Sequence, residues 1–126
     1  MSRSAVMSVA LVLGLTTTAV GAGEARVVAA RASPAGDGGF DFQVTVEHAD
    51  EGWEHYADAW EVLAPDGTVL GTRTLLHPHV NEQPFTRSLS GVRIPEGIDQ
   101  VRVRARDSVH GYGGDEVTVT LSVGAD

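Results

Sequence analysis

Residues 100–107 read Gln-Val-Arg-Val-Arg-Ala-Arg-Asp, an unbroken alternation of small apolar and polar side chains. Only an extended backbone sends alternate side chains to opposite faces. The run is therefore a strand, with Val101, Val103 and Ala105 inward and Arg102, Arg104 and Arg106 on a solvated outer face. The same period recurs at short spacing. Strands are expected over 25–32, 40–48, 54–63, 68–76, 85–94, 100–107 and 116–123, and no helix is expected after residue 23. In the second, Phe40, Phe42, Val44 and Val46 share a face; in the third, Tyr56, Asp58, Trp60 and Val62 do. Turn-forming residues separate them, among them Pro65-Asp66-Gly67 and Pro95-Glu96-Gly97, where Pro presets φ and Gly admits a positive one.

Seven antiparallel strands in about 100 residues predict an all-β, two-sheet sandwich. The expected arrangement puts the first, second, fifth and fourth strands in one sheet and the third, sixth and seventh in the other, with Trp60 between them. Residues 89–121 resemble the closing part of an immunoglobulin-like or fibronectin type III domain. The resemblance is carried by Val101-Arg102-Val103-Arg104-Ala105, a Gly-containing hairpin and Val117-Thr118-Val119. The Tyr of that pattern is missing, Ile98 and Asp99 standing there, and so is its disulfide. Separately, Tyr56-Ala57-Asp58-Ala59-Trp60-Glu61-Val62, His77-Pro78-His79 and Phe85-Thr86-Arg87 are similar to strings in small, uncharacterised exported bacterial proteins. That resemblance implies a family and no activity.

Arg3, an uncharged run over 5–20 and the small residues Ala19, Gly21, Ala22 and Gly23 follow the order of a secretory signal peptide. Cleavage is expected after Ala22, with Ala25 as second choice. A spanning helix needs about 20 strongly apolar residues, and Gly14 and Thr16-Thr17-Thr18 dilute this run. With no Cys near the cleavage site, a bacterial lipoprotein anchor is not expected. The organisation is thus a signal peptide, 1–22, and one sandwich domain, 23–126, in a periplasmic or secreted protein with no membrane attachment after cleavage.

Composition narrows the chemistry. The 126 residues hold no Cys, which removes disulfides, thiolate metal sites and thiol nucleophiles. All nine basic residues are Arg, so no Lys is present for Schiff-base chemistry. A net charge of -8 argues against nucleic acid and anionic membranes as partners.

Counting strand directions gives the most informative expectation. The loops after the second, fourth and sixth strands fall at one end of the sandwich, and all five histidines lie in or beside them. His48 and His55 flank the first loop, His77 and His79 lie in the second, and His110 lies in the third. Imidazoles with carboxylates suit Cu(II), Zn or Ni. His77-Pro78-His79, if extended, puts two side chains on one face about 6.6 Å apart at Cα. His48 continues the inward phase of Val46, and Asp58 that of Trp60. The expected metal set is His48, His77, His79, His110 and Asp58, with His55 peripheral. Trp53, His55, Tyr112 and Glu82 are expected to contact a ligand or partner. The bland alternatives are that each loop histidine caps a backbone carbonyl and that Asp58 bonds loop amides or Arg87.

Three functions follow: a metal-binding exported module carrying Cu(II) or Zn, a metal-free module recognising a protein or glycan, or a structural accessory protein. An enzyme is not expected. Ser108-Val109-His110 is no triad, and neither Gly-x-Ser-x-Gly, His-Glu-x-x-His nor a phosphate loop occurs.

Overall fold

The alternating runs form the strands they predict. A computed structural model describes residues 23–121; the expected signal segment, 1–22, and residues 122–126 lie outside the described residues. The strands are β1 Arg26–Pro34, β2 Phe40–Glu47, β3 Ala57–Leu63, β4 Val69–Thr74, β5 Phe85–Val92, β6 Gln100–Asp107, β7 Gly111–Tyr112 and β8 Val117–Thr120. No helix occurs among the described residues. One sheet has the order β1-β2-β5; the other runs β4-β3-β6 with β7 and β8 both on the far edge of β6. Every pairing is antiparallel.

The fold is a β-sandwich. Phe42, Val44 and Val46 of β2 meet Trp60, Val62, Val101, Val103 and Ala105 of the facing sheet in one buried cluster. Trp60 is fully buried, as its phase in β3 requires. The Arg stripe faces out as an ion-pair ladder: Arg102–Glu116 at 2.8 Å, Arg104–Glu61 at 2.6 Å and Arg106–Asp58 at 3.0 Å.

Two expectations fail for identifiable reasons. First, β4 joins β3 and not the β1-β2-β5 sheet. The turn at Pro65-Asp66-Gly67 is closed by Gly67 N–H donating to Ala64 O at 2.9 Å and Ala64 N–H donating to Thr68 O at 2.8 Å. A turn that short leaves β4 nowhere to go but beside β3. Second, a β-bulge lies between Ala57 and Ala59, so that Ala57 opposes Asp107 while Ala59 opposes Arg106. The extra residue reverses the phase. Ala57 and Trp60 both point inward, and Asp58 turns out to Arg106.

The last predicted strand, 116–123, forms as β8, and a further short strand, β7, forms in the segment expected to be a loop. β7 and β8 both pair with β6, and the chain between them leaves the ladder to receive the start of the domain. Val27 N–H donates to Asp115 O at 2.9 Å. A Cβ on Gly114 would lie 2.1 Å from Ala25 O, so the glycine permits a backbone approach that no other residue would. Ala25 is fully buried there. This threading carries residue 23 to the loop end of the sandwich.

Candidate metal centre

At that end β2 runs out into Ala49-Asp50-Glu51, β3 begins after His55-Tyr56, and β6 ends at Asp107. The inward phase of Val101, Val103 and Ala105 continues to Asp107, which is therefore fully buried. Its Oδ1 accepts from Val109 N–H at 2.8 Å and from His110 N–H. Its Oδ2 lies 3.2 Å from His48 Nε2, 3.5 Å from His55 Nε2 and 3.0 Å from His110 Nδ1. Burial pushes the Asp107 carboxyl up, but the His110 and Val109 donors outweigh it and hold it below the ordinary carboxylate range.

The rings pack in a row. His48 and His55 meet edge to face with centroids 4.8 Å apart, and His55 and His110 lie 5.1 Å apart. Each of the first two has a carboxylate behind it: His48 Nδ1 is 2.6 Å from Asp50 Oδ1, and His55 Nδ1 is 2.7 Å from Glu51 Oε1. The hydrogen bond that His55 donates to Glu51 is the main cause of a raised His55 pKa. In front of both rings stands a backbone carbonyl. Gly23 O lies 2.9 Å from His48 Nε2 and 3.2 Å from His55 Nε2.

This leaves an electronic mismatch. An imidazole whose Nδ1–H donates to a carboxylate presents a lone pair at Nε2 when neutral. Those two lone pairs face Gly23 O and Asp107 Oδ2, which are themselves acceptors. Either two protons or one cation must lie between them. The four N···O separations, 2.9–3.5 Å, are close to the ligand–ligand spacing of about 3.3 Å around an ion with bonds of about 2.0–2.1 Å. One ligand atom from each of His48, His55 and Asp107 lies within 4.8 Å of the others. Carboxylates behind the rings are the arrangement that orients metal-bound histidines. An open cavity of about 520 Å³ beside His48 is lined by Glu24, Glu47 and Asp115, with Arg26 paired to the last two.

The expected site residues divide. His48 and His110 are in the cluster, and His55, expected at the periphery, sits between them. His77 and His79 form a separate group. Their rings are 4.6 Å apart, and His79 stacks on Phe85 at 4.0 Å. His79 Nε2 accepts from Arg87 at 2.8 Å, and burial, with Arg87 and His77, lowers its pKa. Its link to the cluster is through the backbone: His79 N–H donates to Asp50 Oδ2 at 2.6 Å. Asp58, turned outward by the bulge, pairs with Arg106 and is not in the cluster. Arg87 serves His79 and Glu82, the latter at 3.5 Å. Tyr112 lies under Arg104 at 4.1 Å on the outer sheet face, while Trp53 is two-thirds exposed, at 67%. Ser108 Oγ accepts from Tyr56 N–H at 3.1 Å. Sequence reading missed Asp107 and Gly23. The signal for Asp107 was its place in the inward phase of β6; none marked Gly23.

Comparison with known proteins adds one relative. A protein of Halomicrobium mukohataei with the curated description "Putative lipoprotein" is 44% identical over 102 residues, covering 81% of this chain and 50% of that protein. The chain thus spans about half the length of the curated relative it matches. No family model matches, and no solved structure does.

Proposed function

We propose that this is an exported, non-catalytic module that binds a divalent transition metal through His48 Nε2, His55 Nε2, Asp107 Oδ2 and the Gly23 carbonyl oxygen. The observation that carries the reading is that His48 Nε2, His55 Nε2, Asp107 Oδ2 and the Gly23 oxygen face one another with carboxylates behind both rings. A nitrogen–oxygen donor set at this spacing suits Zn(II), with Cu(II) the competing ion. Export, to the periplasm or beyond the cell, is supported by the Arg3-led apolar segment and by the relative's description, "Putative lipoprotein". The strand order β1-β2-β5 against β4-β3-β6 supports a sandwich of the immunoglobulin or fibronectin type III kind.

Isothermal titration of the mature protein with Zn(II) and Cu(II) tests the reading. Saturable one-to-one uptake is expected, abolished in His55→Ala and unchanged in His77→Ala. No saturable uptake of either ion by the wild type overturns it.

One observation favours a second reading. Trp53, Leu76, Val80 and Val109 are exposed apolar side chains on the three loops of this same end. Such a rim suits a protein or glycan partner. Replacing Trp53 with Ser would then weaken partner binding without altering metal uptake.

A further inference from the structure

Gly23 is the residue that ties the metal centre to export. Its carbonyl oxygen stands between the His48 and His55 rings. Its φ is +100°, and a Cβ there would lie 2.8 Å from His110 Cε1. Two residues on, the fully buried Ala25 is locked against Gly114. In the uncleaved chain this left-handed φ favours glycine. Gly23 is also the first residue after the expected cleavage site.

We propose that the processed N-terminus is itself a metal ligand: with the leader removed after Ala22, the Gly23 α-amine joins its own carbonyl oxygen as a two-point arm beside His48, His55 and Asp107. The inference rests on the metal-binding reading above. Removal is a hydrolysis by a leader peptidase. Water adds across the Ala22–Gly23 peptide bond, the carboxylate leaves on Ala22, and the new amino group stays on Gly23. Amine, Cα, carbonyl carbon, oxygen and ion then close a five-membered ring. Once the Ala22–Gly23 bond is cut, no preceding residue restrains the amine, and rotation about the Gly23 Cα–C bond sets it beside its oxygen. The unprocessed chain has an amide nitrogen at this place, with no lone pair to offer. Processing therefore switches on the full ligand set, and the metal is taken up after export.

The absence of lysine makes the test clean, because the α-amine is the sole alkyl amine of the mature chain and acetic anhydride at neutral pH modifies it selectively. The exported protein is purified, its N-terminus read by intact mass, and the native and α-acetylated forms titrated with Zn(II) in two buffers of different ionisation enthalpy. An N-terminus at Gly23 is expected. Acetylation should weaken Zn(II) at least about tenfold, the scale of losing a well-placed contact at a metal. It should also cut the protons released on binding, since an α-amine with an ordinary pKa of about 7.7–8.0 is largely protonated at pH 7. An N-terminus elsewhere, or equal affinity and proton release in the two forms, overturns the proposal. If those two forms bind equally while His55→Ala does not bind, the amine arm falls and the metal site stands. If none binds, both fall.

Discussion

Asp50 is where the loop end of the sandwich is most exposed to a single change. Its buried carboxylate accepts from three donors: His48 Nδ1 at 2.6 Å, Ala57 N–H at 3.1 Å and His79 N–H at 2.6 Å. It thereby joins the β2–β3 loop, the start of β3 and the β4–β5 loop. Asp50→Ala orphans all three. Each buried donor left unpaired costs about 1–3 kcal/mol, or about 3–9 kcal/mol if the three add. Neighbouring groups share the relaxation, so the lower part of that range, about 3–5 kcal/mol, is expected. Asp50→Asn keeps one acceptor oxygen for His48 and Ala57 but turns an N–H toward the His79 N–H, and about half the loss is expected. Urea unfolding at pH 7 measures both. With a slope near 1 kcal/mol per molar for a domain of this size, the Ala variant should unfold at least about 3 M earlier with the slope unchanged. In Asp50→Ala the His48 ring loses its orienting partner as well, so Zn(II) affinity should fall about 10–100-fold. A loss under about 1 kcal/mol in Asp50→Ala refutes the argument, because the three donors would then be satisfied by something other than the carboxylate.

Trp60→Ala should destabilise by about 3–5 kcal/mol, read from the same unfolding curves; a loss under about 1 kcal/mol would show that the inter-sheet core does not depend on it. Gly114→Ala forces a Cβ onto Ala25 O and should cost about 1–3 kcal/mol while weakening Zn(II) by displacing Gly23; unchanged stability and affinity would mean that the chain start is not held by this loop. His79 has a pKa lowered by burial first, then by Arg87 and His77. The unfolded chain therefore binds more protons below its ordinary value near 6.5, and His79 contributes stability that is present above that pH and is lost as pH falls through the folded value. An imidazole proton-shift titration should place His79 below 6.5, and His79→Phe, which keeps the stacking on Phe85, should flatten this part of the acid limb; a midpoint at or above 6.5 contradicts it.

What the sequence determined by itself were the properties carried by period and parity. Alternation in 40–47 and 100–107 needs no tertiary information, because a strand's two faces are fixed by local geometry. The clustering of loop histidines at one end follows from counting strand reversals, and it holds although β4 changed sheets, since parity does not depend on which sheet a strand joins. The site itself was decided by tertiary structure. A single bulge between Ala57 and Ala59 turned Asp58 from the expected ligand set to an ion pair with Arg106, and a one-residue phase slip leaves little trace in composition. His55 was judged by a strand phase, but it lies before β3 begins, where period 2 no longer applies. The Gly23 carbonyl reaches His48 and His55 because Gly113 and Gly114 let the chain start pass against the β7–β8 loop. Residues 23, 48, 55 and 107 are far apart along the chain, and contacts of that range are set by the packing of whole sheets, which no local pattern encodes.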